Sequence, residues 1–80
     1  MTIRELPLLV DGHVVAVLID PKVDNFFVFS QVRWVDTGFR TRAQDSIDAD
    51  EPLEGSLDGI RVEISSVQEK MIEVRRLLDP

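Results

Sequence analysis

The segment RWVDTGFRTR, residues 33–42, combines the residue types that bind nucleic acids and other anions. Guanidinium groups hold phosphates and aromatic rings stack on bases, which is how small β-barrels bind single strands. Phe39, Thr41 and Ala43 alternate with two arginines, and this period of two predicts a strand that follows an Asp-Thr-Gly turn. The segment is therefore expected to form a tight hairpin with its arginines side by side. The candidate anion-binding residues are Arg33, Trp34, Phe39, Arg40 and Arg42.

Two other interpretations of this hairpin stay open. In one, Trp34 belongs to the core and the arginines form the wet side of the hairpin, with their stems covering apolar surface. In the other, the arginines pair with the acidic segment that follows them, within the chain or across a dimer. Three arginines without lysine-rich flanks are weak evidence for nucleic-acid binding.

The acidic segment is the second candidate site. Residues 44–66 hold seven acidic residues and one basic residue, in a chain whose net charge is −6. Residues 44–52, QDSIDADEP, have no apolar period and predict an exposed acidic loop. Such a loop either keeps the protein soluble or docks a partner with a basic surface, because a concentrated field steers association and sets specificity. The residues predicted to bind this partner are Asp45, Asp48, Asp50, Glu51 and Glu54.

The same carboxylates do not predict a metal site. If an EF-hand loop began at Asp48, Pro52 would stand at its fifth position and Leu53 where its glycine belongs. Zinc is unfavourable as well, since the chain has no cysteine and a single histidine, His13. We predict neither a metal nor another cofactor.

The sequence offers few residues that could carry out catalysis. The chain has no cysteine and no tyrosine, and His13 directly follows the dipeptide Asp11-Gly12. His13 and Asp11 could share one face of a strand, but no nucleophile accompanies them. We predict that the protein is not an enzyme.

Overall charge and hydropathy argue against two further classes of protein, those that bind duplex nucleic acid and those that span a membrane. A net charge of −6 opposes binding to duplex nucleic acid, which depends on lysine and arginine. The longest aliphatic run, VVAVLI, has six residues, whereas a membrane-spanning helix needs about 20. The first residues also lack the apolar region and cleavage site of a secretory signal. We expect a cytoplasmic protein without a membrane partner.

The first half of the chain is expected to form hairpins, and 80 residues are expected to form one domain, 1–80. The Asp-Gly dipeptide between LPLLV and HVVAVLI favours a type I′ turn. The second strand is predicted to end at Asp20-Pro21, because proline has no amide for a ladder. FFVFSQVRWV predicts a strand from its aromatic and β-branched content, although a helix capped by Asp20 is an alternative.

The second half is expected to end in a helix over about residues 66–78. Asp58-Gly59 predicts another hairpin, between residues 53–57 and the strand IRVEIS. Ser66 and Glu69 have the spacing of a capping box, which predicts where the helix begins. One stripe of this helix is apolar, with Ile72 well off it. An alternative joins the apolar residues of 57–78 into a coiled-coil heptad series.

The fold class follows as α+β: a small antiparallel sheet or partly closed barrel built from hairpins, with one C-terminal helix. VVAVLI and FFVF are apolar at consecutive positions, so both faces of the sheet need cover. One short helix covers one face, and barrel closure or a second subunit must cover the other. We expect a homodimer, since the core of so short a chain is thin.

These expectations lead to a hypothesis about function. The chain is predicted to be a small acidic regulator that binds another protein, such as an inhibitor, an antitoxin-like protein or an assembly adaptor of bacterial or phage type. Its acidic segment would dock on a basic surface of that partner. The second hypothesis is a module that binds single-stranded nucleic acid through residues 33–42.

Overall fold

A computed structural model describes residues 3–77 of the chain. Their secondary structure is strand-rich, with a helix in the middle. In chain order the elements are β1 (Glu5–Val10), β2 (His13–Asp24), β3 (Phe27–Trp34), α1 (Thr37–Asp48), β4 (Glu54–Leu57), β5 (Ile60–Val67) and β6 (Met71–Arg76).

The strands form a closed antiparallel barrel in the order β1-β2-β3-β6-β5-β4, with β4 returning to β1. The closing seam is short, because only Leu8 with Leu57 and Leu9 with Ser56 pair across it. Gly55 lies beside this seam, where an added Cβ would stand 2.6 Å from the carbonyl oxygen of Leu9. The predicted partly closed barrel is thus a fully closed one.

The predicted Asp-Gly turns are confirmed. Asp11 and Gly12 join β1 to β2, and Asp58 and Gly59 join β4 to β5. All four residues have positive φ angles of 53–79°, the backbone that a type I′ turn requires.

Strand β2 is longer than expected, because it passes through Asp20-Pro21 and ends at Asp24. The register with β3 shifts between Ile19 and Lys22, so the proline lies in a bulge where the missing amide interrupts no ladder. Asp20 takes a positive φ of 53° there. The predicted strand end was therefore wrong.

The core fills the barrel and the space beneath the helix. Its buried apolar residues come from every strand and from α1: Leu8, Val15, Ala16, Leu18, Val28, Val32, Phe39, Ala43, Leu57, Val62, Ile64, Val67, Ile72 and Val74. Because the sheet closes on itself, its inner face is covered without a second subunit. On the outer wall Phe27 and Phe29 of β3 stay partly exposed, and the predicted homodimer stays a prediction.

The hairpin predicted for residues 33–42 is wrong, because β3 ends at Trp34 and Thr37–Asp48 form α1. Asp36 caps this helix by accepting from the amides of Gly38 and Phe39 at 3.1 and 3.2 Å. Phe39 and Ala43 are buried and Ile47 packs beside them, a spacing of four that places all three on one helical face.

The C-terminal helix predicted for residues 66–78 is also wrong, as is the heptad alternative. Strand β5 runs to Val67, and Met71–Arg76 form β6, in which Ile72 and Val74 point into the barrel. Ser66 pairs with Glu73 in the ladder instead of capping a helix. Because β6 pairs with both β3 and β5, its backbone is satisfied on both sides and the barrel overrides helical propensity. Leu78 lies outside the described residues.

Candidate functional site

Four of the predicted partner-binding carboxylates gather where α1 ends. Asp45 and Asp48 lie in its last turn, and Asp50 and Glu51 follow within three residues. All four side chains are exposed. Residues 44–48 of the predicted acidic loop are therefore helical, and only 49–52 lie beyond the helix. We call Asp45, Asp48, Asp50 and Glu51 the acidic end.

The backbone holds the acidic end in one conformation. The amide of Glu51 donates to the carbonyl of Ser46 at 2.8 Å, and that of Asp50 to Ile47 at 3.0 Å. With Asp50 at a φ of 59°, these two bonds form the Schellman motif that ends many helices. Ile47 packs against the core, so the motif is attached to the barrel.

The charges in the last turn of α1 run against the helix dipole. The negative end of a helix dipole lies at its C-terminus and favours cations there. The last turn of α1 has no basic residue but contains Asp45 and Asp48, and the first turn has no acidic residue. Among the described residues, Asp45, Asp50 and Glu51 have no ion pair, and Asp48 accepts the side-chain amide of Gln44 at 2.9 Å. Helix dipole and carboxylates thus add to one negative field.

Glu54 belongs to a different part of the molecule. It lies on β4, opposite Glu63 of β5, and accepts a hydrogen bond from Arg61 at 3.2 Å. Glu63 in turn lies 3.9 Å from Arg75. Of the five predicted docking residues, Glu54 is therefore the one with a cationic partner within the part of the chain that the structure describes.

The predicted anion-binding arginines are separated from one another. Arg33 is exposed on β3 and lies 3.6 Å from Glu5 of β1. Arg40 and Arg42 are on α1, and Arg42 pairs with Asp36 at 3.1 Å. The acidic partners in these two ion pairs, Glu5 and Asp36, both precede the arginines in the chain. Neither partner comes from the acidic segment that follows the arginines.

The two aromatic residues of the predicted platform face inward. Phe39 is buried, and the ring of Trp34 lies 6.3 Å from it. The indole Nε1 of Trp34 donates to the carbonyls of Gln68 and Glu69, each at 3.1 Å. Arg42 covers the ring of Phe39, with its guanidinium carbon 5.6 Å from the ring centre. This arrangement anchors α1 to the β5–β6 turn and leaves the face of Phe39 closed to a base.

A different pair of aromatic residues is exposed. Along β3, the side chains of Phe27, Phe29, Gln31 and Arg33 point outward, and the residues between them are buried. The rings of Phe27 and Phe29 lie 6.3 Å apart on the outer wall. In the sequence, the position of this pair is indicated by FVFSQVR, in which outward-facing and inward-facing residues alternate. The consecutive apolar residues FFVF predicted only that both faces of the sheet need cover.

His13 begins β2 at an exposed position and pairs with Val10 across the hairpin. Within residues 3–77, no three histidine or carboxylate side chains come together as ligands for a metal ion. No helix in that range combines the length and apolar character needed to cross a lipid bilayer.

Comparisons with protein-family models, curated proteins and solved structures find no match for this chain.

Proposed function

We propose that this chain is a small non-enzymatic protein that binds another protein, docking a basic surface of its partner on the acidic end. One observation supports the proposal most directly. The Schellman motif holds these carboxylates at the negative end of the α1 dipole, where they have no counterion among the described residues.

Stability alone does not account for these charges. Carboxylates in the last turn of a helix cost about 0.3–1 kcal/mol each at low ionic strength, and the same positions would favour lysine or arginine. Asp50 also occupies a left-handed position that glycine takes at lower cost. A basic partner would neutralise the negative field of the acidic end, which the isolated protein does not compensate. The arrangement is therefore suited to binding such a partner.

Rigidity supports the same role. The hydrogen bonds of Asp50 and Glu51 and the packing of Ile47 order this region before any partner arrives. A pre-ordered surface loses little conformational entropy on binding. Charged surfaces of this kind raise the association rate and select the partner more than they add to affinity.

Nucleic-acid binding through residues 33–42 has less support. The platform it requires would use Phe39, which is buried, and Arg42, which is paired with Asp36. We therefore keep it as an outcome of the test.

The test is capture of a partner from host lysate with and without nuclease treatment, its identification, and titration of the purified partner. A variant with Asp45→Asn, Asp48→Asn, Asp50→Asn and Glu51→Gln should bind at least about tenfold more weakly and lose most of the salt dependence of its association rate.

A matched control removes four carboxylates elsewhere, with Asp11→Asn, Asp20→Asn, Asp58→Asn and Glu69→Gln. This control has the same net charge as the first variant and should keep its affinity. Equal loss in both variants would show that only total charge matters, and a partner that disappears with nuclease would favour nucleic acid. Either result would refute docking at the acidic end.

A further inference from the structure

The outer wall of β3 and β6 carries an exposed apolar face. Phe27 is 36% exposed, Phe29 39% and Met71 41%, and Met71 pairs with Gln31 next to them. Aromatic residues contribute large contact areas and are enriched where proteins meet. We call Phe27, Phe29 and Met71 the aromatic face.

Four charged residues flank the two phenylalanines in a regular pattern. The strand registers place Phe27 between Asp24 of β2 and Arg75 of β6. They place Phe29 between Lys22 of β2 and Glu73 of β6. Side chains that pair across antiparallel strands share one face of the sheet, so each ring lies between opposite charges. The order of the charges is reversed from one row to the next.

This pattern complements itself. If a second copy is turned over about a two-fold axis parallel to β3, the β2 side of one copy meets the β6 side of the other. Asp24 then faces Arg75 of the second copy, and Lys22 faces its Glu73. Both rows bring opposite charges together, with the aromatic rings in contact between them.

The second possible axis gives the same result. A two-fold axis that crosses the strands between the rows brings the first row of one copy onto the second row of the other. Asp24 then faces Lys22, and Arg75 faces Glu73. A contact in which the same patch of both copies is buried is the commonest arrangement of protein dimers.

We propose that this surface binds a second copy of the chain, forming a homodimer through Phe27 and Phe29. The charge pattern selects this occupant over a nucleic acid, because Asp24 and Glu73 would each lie near the phosphates of a strand stacked on the rings. The existing ion pairs of the face are long and at least partly exposed: Lys22 is 3.4 Å from Asp20 and Arg75 is 3.9 Å from Glu63. Such pairs contribute little within one chain and can be exchanged for contacts across the dimer.

The dimer surface is independent of the acidic end, and either proposal can fail alone. The homodimer expected from the sequence was to cover the sheet face that one short helix leaves uncovered, and this one buries part of the outer wall of a closed barrel. None of its residues belongs to the acidic end.

The first measurement is the mass in solution by light scattering and sedimentation. We expect a dimer of 18.2 kDa, twice the chain mass of 9.1 kDa, at high micromolar concentration. Phe29→Ser should raise the dissociation constant at least about tenfold, since it removes a central aromatic contact. Val14→Ser is the matched control, because Val14 is 42% exposed and lies outside the aromatic face. It should leave the dimer intact.

Charge reversal then tests the pairing. Lys22→Glu alone should weaken the dimer. Adding Glu73→Lys should restore it if the axis runs parallel to β3, and adding Asp24→Lys should restore it if the axis crosses the strands. Circular dichroism establishes that each variant is folded.

Three results would overturn the proposal. They are a wild-type monomer throughout the concentration range, equal effects of Phe29→Ser and Val14→Ser, and failure of both double variants to restore the dimer. A monomer that binds a single-stranded oligothymidine through Phe29 would assign the face to nucleic acid instead.

Discussion

The rings of Trp34 and Phe39 lie 6.3 Å apart at an angle of 42°, and this contact joins the end of β3 to the first turn of α1. Phe39 is 1% exposed and is among the largest fully buried side chains of the described residues. The two residues therefore hold the helix that carries the acidic end.

Replacing Phe39 by alanine should lower the free energy of unfolding by about 3–5 kcal/mol, because it empties the space between α1 and the barrel. Phe26→Ala is the control, since Phe26 is 51% exposed and its loss should cost little. Urea titration measures both. A similar small cost for the two variants would show that Phe39 does not anchor the helix.

The cap of α1 can be separated from its ion pair. Asp36→Ala removes the acceptor of the Gly38 and Phe39 amides and should cost about 0.5–2 kcal/mol. Asp36→Asn keeps a capping oxygen and loses only the charge that pairs with Arg42, an exposed contact worth about 1 kcal/mol or less. If thermal denaturation finds asparagine as damaging as alanine, the ion pair matters more than the cap.

The barrel seam should be sensitive to a single methyl group. In Gly55→Ala the new Cβ would stand 2.6 Å from the backbone carbonyl of Leu9, so β1 and β4 must separate. We expect a loss of about 1–3 kcal/mol. The nearest atom to a Cβ at Gly38 is 3.5 Å away, so Gly38→Ala should instead stabilise the helix by up to about 1 kcal/mol. Chemical denaturation of both variants checks the contrast, and equal stability would contradict it.

The acidic end should oppose folding slightly. Asp45→Asn and Asp48→Asn should each raise the free energy of unfolding by about 0.3–1 kcal/mol at low salt, because they remove negative charge from the negative end of the dipole. The gain should shrink at high salt, where the charges are screened. Asp11→Asn, in the β1–β2 turn and outside the helix, serves as the control and should change little. A loss of stability on neutralising Asp45 would mean that its charge is satisfied within the chain.

The two Asp-Gly turns and the strands β3 and β5 could be predicted from local residues. Asp11-Gly12 and Asp58-Gly59 adopt positive φ angles, a preference that these residue types carry wherever they stand. β3 and β5 likewise have the aromatic and β-branched residues that strands favour.

The helix and the last strand were exchanged in the prediction from sequence, because their local patterns are ambiguous. Phe39 and Ala43 recur at a spacing of four, which fits a helix and also two periods of a strand. The residue that distinguishes the two structures is Thr41, which would share their face in a strand and is exposed in the helix. In β6, Ile72 looked like an outlier from a helical stripe, and it is a core residue of the barrel.

The composition of the acidic segment was evident from the residues, since carboxylates can be counted in any fold. Which of them have counterions depends on neighbours that can be distant in sequence, such as Arg4 for Asp58. The aromatic face likewise depends on the tertiary structure. Barrel closure turned one side of β3 inward and left Phe27 and Phe29 on the outside, between β2 and β6. Local propensity and charge are properties of the chain, whereas pairing and burial arise only when separate strands meet.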